Sequence, residues 1–171
     1  MVTGMPDLTI ALAGNPNACK TTIFNALTGL HQHTGNWPGK TVEKKEGEIE
    51  HGKLTINIVD LPGTYSLTAY SPEEIIARDF IIQERPDVVI NVVDATNLER
   101  NLYLTVQLLE LDVPVVLALN MADALKKDGA KVNIENLSQL LGNIPVVRTA
   151  ANHGKGISEL ITKAVHAARA N

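Results

Sequence analysis

The run Gly14-Asn15-Pro16-Asn17-Ala18-Cys19-Lys20-Thr21 constrains this chain more than any other stretch. It lies between an apolar run over 8–13 and a helix-like run over 22–28, so it joins a strand to a helix. That is the setting of a phosphate-binding loop, G-x-x-x-x-G-K-S/T, in which backbone N–H groups at a helix N-terminus wrap phosphate oxygens. The chain follows the pattern except at Cys19, which stands where the second glycine belongs. A strand, a tight loop and a helix in this order are the start of a βαβ unit, and the rest of the chain continues it.

Short apolar runs alternate with longer stretches of helical period, the signature of a mostly parallel sheet with helices on both faces. Strands are predicted near 7–13, 40–48, 53–60, 87–94, 114–120 and 145–149, and helices near 20–28, 72–84, 98–111, 134–141 and 156–169. The strands 40–48 and 53–60, joined at His51-Gly52, read as a hairpin that adds one antiparallel edge strand to a sheet of about six. At 171 residues one domain with one core is expected over 1–171. The segment 29–40 is a long connection without periodic pattern and holds the only tryptophan, Trp37. Long connections in compact domains are often functional.

A net charge of −4 argues against nucleic acid as a partner, because phosphate backbones are held by clustered Lys and Arg. One cysteine excludes an intrachain disulfide. No apolar run approaches the ~20 residues of a membrane span, and the chain reads as soluble.

Within the loop, Lys20 is placed to bridge the terminal phosphates and Thr21 to give a hydroxyl to Mg²⁺. Asp60-Leu61-Pro62-Gly63 ends a strand expected beside the first. There Asp60 can hold Mg²⁺ through water, and the Gly63 N–H can meet a γ-phosphate. Alone, D-x-P-G is an ordinary turn. Asn120-Met121-Ala122-Asp123 follows another apolar strand, at the carboxyl edge where open α/β sheets bind ligands. The Asp123 carboxylate can accept two hydrogen bonds from guanine N1 and N2, a donor pair that adenine lacks. Thr149-Ala150-Ala151 ends the last strand, where a backbone N–H can meet the guanine O6. In this order the four elements resemble the guanine-nucleotide-binding set of small, Ras-like P-loop GTPases, with GTP and GDP as substrate and product.

The segments 34–43, 14–17, 60–67 and 93–102 further resemble the amino-terminal G domain of the ferrous iron transport protein B family, over roughly residues 7–165. The resemblance implies a GTPase domain at the cytoplasmic face of the cell membrane, excised from a transporter of Fe²⁺. A helical spacer and a membrane domain would be its partners, with room for a homo-oligomer. It implies nucleotide contacts over 14–22, Thr22 included, and at Gly39, Lys40 and Thr41. Thr41 is the first-switch threonine by this resemblance, meeting Mg²⁺ through its hydroxyl and the γ-phosphate through its N–H. Residues 63–80 would form the second switch.

The residue after Gly63 is Thr64, not the glutamine that orients water in Ras-like enzymes. Instead, Asn17 matches the position that binds K⁺ in potassium-activated GTPases, with the carbonyls of Gly35 and Trp37 completing the cage. The catalytic set implied is Asn17, Lys20, Thr41 and Gly63. Met121, in place of the usual lysine, can still pack on the base. His31 and His33 lack Cys or carboxylate neighbours and read as solvated loop. The same motif order also fits a GTPase of ribosome assembly or tRNA modification, or a binding module whose hydrolysis Cys19 has impaired. If φ at Cys19 is positive, strain of about 1–3 kcal/mol is expected there.

Overall fold

A computed structural model describes residues 4–121 and 131–170 of the chain. Its seven strands are β1 (Leu8–Gly14), β2 (Gln32–Asn36), β3 (Glu43–His51), β4 (Leu54–Asp60), β5 (Val88–Asp94), β6 (Val115–Asn120) and β7 (Val146–Thr149). They form one sheet in the order β2-β3-β4-β1-β5-β6-β7. Among the described residues five α-helices accompany them: α1 (Lys20–Thr28), α2 (Pro72–Asp79), α3 (Leu98–Glu110), α4 (Ile134–Leu140) and α5 (Ile157–Arg169). The mostly parallel α/β sheet expected from the sequence is present.

Alternation along β1 builds the two sides of the core. Ile10 and Leu12 pack with Ile23 and Phe24 of α1 and with Leu160 and Ala164 of α5. Ala11 and Ala13 pack on the other face with Ile76 and Ala77 of α2 and with Leu104 and Leu108 of α3. Residues 88–93 of β5 are buried throughout, as a strand covered on both faces must be.

The sheet has seven strands, not six. The added strand, β2, lies in the segment read as an aperiodic connection, and it pairs antiparallel with β3 from Gln32↔Gly47 to Asn36↔Glu43. Its sequence Gln-His-Thr-Gly-Asn has no apolar alternation, because an edge strand with four of its five residues exposed buries no face. Backbone pairing holds it, with one side-chain anchor at its start, where Gln32 Nε2 donates to Asn25 Oδ1 at 2.8 Å and to Thr28 Oγ1 at 3.0 Å. The following strand begins at Glu43 rather than 40, and residues 38–42 are turn and bend. The helix predicted over 72–84 is α2 continued by a π-helical turn, Phe80–Glu84. Ser71 caps α2 by accepting from the Glu74 N–H, with Pro72 at the first helical position.

Among the described residues no helix is long and apolar enough to cross a membrane.

Candidate nucleotide site

β1 ends at Gly14, and its neighbour explains the glycine. A Cβ there would stand 2.7 Å from the Val92 carbonyl oxygen of β5, so no side chain fits where the loop leaves the sheet. The chain then turns over 15–19 and enters α1 at Lys20. Pro16, Asn17, Cys19, Lys20, Thr21 and Gly63 line a cavity of about 560 Å³ at this turn. That volume suits a small ligand. Asn15 and Ala18 are buried beneath it, and the Asn15 Oδ1 has no hydrogen-bond partner among the described residues. Thr22 is half-buried on α1.

Cys19 has φ 62° and ψ 35°, the left-handed region. A residue with a Cβ adopts it at a cost of about 1–2 kcal/mol. The sequence left the sign of φ open, and the structure makes it positive. The thiol is exposed.

Lys20 and Asp60 form an ion pair across the site, both with less than a tenth of the side chain exposed. Here the pair brings together the residues read as phosphate and Mg²⁺ ligands. Burial raises the Asp60 carboxyl above its ordinary 3.8, and the Lys20 charge and hydrogen bond oppose the rise. A carboxyl raised in the folded state contributes stability in full below its ordinary value. That contribution is lost as pH rises through the folded value. Acidification from neutrality toward 3.8 should therefore stabilise the wild-type chain relative to Asp60→Asn. Thermal unfolding of both proteins across that window reads the effect, and parallel profiles would contradict it.

Residues 61–64, where the segment read as the second switch begins, close one side of the cavity. The Leu61 N–H donates to the Leu12 carbonyl and the Thr64 N–H to the Gly14 carbonyl, each at 3.0 Å. Leu61 is buried and Pro62 half-buried between these bonds. A Cβ on Gly63 would lie 3.0 Å from Pro16 Cα, so this glycine lets the two loops touch. Thr64 is itself 5% exposed and is not among the residues that line the cavity.

The segment read as the first switch stands apart from this cavity. Thr41 is exposed in a bend, as are Gly39 and Lys40 in the preceding turn. Gly35 lies on β2, and the Trp37 carbonyl accepts from the Lys40 N–H at 2.9 Å. The indole of Trp37 is buried, packed edge to face on Phe80 at 5.7 Å between centroids. Lys44 Nζ lies 4.8 Å from the centre of the indole ring.

At the far end of the carboxyl edge, buried Asn120 ties three segments together. Its Nδ2 donates to the Ala18 carbonyl at 3.2 Å. Its Oδ1 accepts from Thr149 Oγ1 at 3.1 Å and from the Ala151 N–H at 3.3 Å. The Ala150 N–H donates to the Lys155 carbonyl. The structure thus brings the phosphate loop and residues 149–151 together through Asn120. Met121 follows with φ 63°, while Asp123 lies outside the described residues.

Two contacts escaped the sequence reading. Gln107 Oε1 accepts from the Leu67 N–H at 2.6 Å, and the Arg100 guanidinium covers the Tyr65 ring. The available signal was their spacing along one face of the helix after Asp94.

The oxygen donors suit a hard cation: a hydroxyl at Thr21 beside a buried carboxylate at Asp60 match the ligands Mg²⁺ takes. The amide of Asn17 lines the same cavity as a candidate K⁺ ligand.

A family model described as ferrous iron transport protein B matches residues 8–164. The chain is 55% identical over 152 residues to the Fe(2+) transport protein A/Fe(2+) transporter FeoB fusion protein of Porphyromonas gingivalis, covering 88% of this chain and 18% of that protein. The FeoB G-domain from Methanococcus jannaschii superposes with a TM-score of 0.85 at 50% identity, covering 96% of this chain and 99% of that one. A GDP-bound mutant of S. thermophilus NFeoB gives a TM-score of 0.89 at 52% identity, covering 94% of this chain and 62% of that one. The chain spans about a fifth of the length of the curated relatives it matches, 18% of one and 21% of another. These matches do not favour ribosome assembly or tRNA modification, and with the fold and motifs they lead to one conclusion: this chain belongs to the ferrous iron transport protein B family, as its amino-terminal G domain.

Proposed function

We propose that this domain binds and hydrolyses GTP and acts as the nucleotide switch of a transporter that moves Fe²⁺ across the cell membrane. The single domain 1–171 would stand at the cytoplasmic face, joined to a helical spacer and a membrane part, and in a homo-oligomer where the transporter assembles as one. The observation that carries this reading is the buried Lys20–Asp60 pair beside a cavity walled by the phosphate loop and Gly63. A buried pair of this kind holds each charge ready for a ligand of opposite sign.

In this reading Lys20 leaves Asp60 for the phosphates, and Asp60 with Thr21 and Thr41 holds Mg²⁺. The N–H groups of Gly63 and Thr41 meet the γ-phosphate. Bound Mg²⁺ and K⁺ supply positive charge that offsets what develops on the transferring phosphoryl group. Asn17 would hold K⁺, together with the carbonyls of Gly35 and Trp37. Asp123 and Asn120 select guanine, with Met121 against the base and residues 149–151 beside it.

Calorimetric titration tests the binding step: GDP binds and ADP does not. Equal binding of both would remove the guanine assignment. For the cation, Asn17→Ala should lose K⁺ stimulation and at least about tenfold in turnover, a small part of the 10³–10⁵ an arginine finger supplies. An Asn17→Ala protein still stimulated by K⁺ would place the cation elsewhere.

A second reading has one observation behind it, the positive φ of Cys19. That backbone carries the Cys19 side chain into the cavity lining, where a glycine would leave room; in this reading the chain binds nucleotide without turnover, and Cys19→Gly restores hydrolysis.

A further inference from the structure

Helix α3 presents two opposed sets of polar side chains, and each set grips a different part of the site. On its inner side, Thr105 Oγ1 donates to Oδ1 of Asn91, and Asn91 Nδ2 donates to the Ala13 carbonyl at 3.3 Å, directly before Gly14. Asn91 and Thr105 are fully buried. Buried polar chains of this kind fix the elements they join, because each unmade bond is costly. Asn101 adds a second tie, accepting from the Asp94 N–H at 3.1 Å. α3 is thereby set against the first residue of the phosphate loop.

On its outer side, Arg100, Tyr103 and Gln107 share one stripe, since residues i, i+3 and i+7 return to the same helix face. Gln107 accepts from the Leu67 N–H at 2.6 Å, and Arg100 lies 4.4 Å from the centre of the Tyr65 ring. Leu67 is buried. Residues 65 and 67 come just after Gly63, and Thr64, between Gly63 and Tyr65, donates its N–H to the Gly14 carbonyl.

We propose that Gln107, assisted by Arg100, is a positioning residue for the second switch. α3, anchored to the phosphate loop by Asn91 and Thr105, holds residues 65–67 so that Gly63 stays against Pro16 and its N–H is aligned for a γ-phosphate. The inference rests on the reading of Gly63 given above. Its consequence is specific: GDP has no γ-phosphate, so loss of this hold weakens GTP binding and not GDP binding. A role in helix stability alone would lower the unfolding temperature and leave the ratio of the two affinities unchanged.

The test titrates the 171-residue chain with GDP and with a non-hydrolysable GTP analogue, in Mg²⁺ and K⁺. Gln107→Leu should weaken the analogue about three- to tenfold while GDP affinity changes by less than about twofold. Gln107→Glu keeps an accepting oxygen and should restore the wild-type ratio. Arg100→Ala, at an exposed position, should lower the ratio about two- to fivefold, and it decides the matter if Gln107→Leu fails to fold. An unchanged ratio in the folded variants overturns the proposal while leaving the functional reading intact. A wild-type chain that binds neither nucleotide overturns both.

Discussion

Replacing Lys20 with alanine is expected to weaken GDP and GTP binding about 100-fold and to destabilise the nucleotide-free chain as well. The binding loss follows from removing a charge-assisted donor to phosphate. The stability loss follows from the pair with Asp60, because both partners are buried. Removing one member of a buried pair leaves the other uncompensated, at a cost of about 3–5 kcal/mol. The low end applies here, since burial already raises the Asp60 carboxyl and lets it neutralise by taking a proton. Asp60→Asn added to Lys20→Ala should recover part of that loss, because no charge is then left buried. Denaturant unfolding of the two single variants and the double variant gives the coupling. A Lys20→Ala protein with an unchanged midpoint would mean that the ion pair is not present in solution.

Cys19→Gly should act in two separable ways. The positive φ is already present without nucleotide, so the backbone strain is a cost to folding and by itself leaves affinity unchanged. Relieving about 1–2 kcal/mol of strain, less about 0.4–1 kcal/mol for the added freedom of an unfolded glycine, leaves a net gain of about 0–1.6 kcal/mol. Affinity changes for a different reason: the side chain lines the phosphate cavity, where its Cβ and sulfur keep backbone N–H groups from close approach. The gain on substitution is expected to be about 5- to 100-fold in GDP affinity, a few kcal/mol of recovered phosphate contact. Cys19→Ala separates the parts. It keeps the strain and the Cβ and loses only sulfur, so it should stay near wild type in stability. If Gly and Ala variants bind GDP as the wild type does, Cys19 is no obstacle to the phosphates.

The sequence spoke most clearly where burial imposed a pattern. β5 and β6 are apolar on both faces and lie where their runs placed them, and the loop between β1 and α1 carried its own chemistry. β2 was illegible because its pairing is backbone to backbone and four of its five side chains face solvent, leaving no apolar alternation to read. The end of α2 was blurred because a π-helical turn keeps nearly the helical period of its apolar residues. At the site, residues on strand ends and the phosphate loop were readable from local order. Contacts between elements were not. The tie from Asn120 to Ala18 spans 102 residues, and that from Gln107 to Leu67 spans 40. The first has no local signature, and the second leaves only the spacing of Arg100 and Gln107 on one helix face, which does not name the partner, since each tie depends on how the sheet stacks its neighbours. The first switch shows the same limit. Its motif named Gly35, Trp37 and Thr41, yet the backbone here pairs as β2 and buries the Trp37 ring in the core beside Phe80.

In the function proposed, a potassium ion supplies during GTP hydrolysis the charge that an arginine finger supplies elsewhere. Phosphate release from GTP, measured on the unmodified chain at equal ionic strength in KCl and in NaCl, tests it most directly. The account predicts turnover in KCl that falls at least about tenfold in NaCl. Equal turnover in the two salts would contradict it.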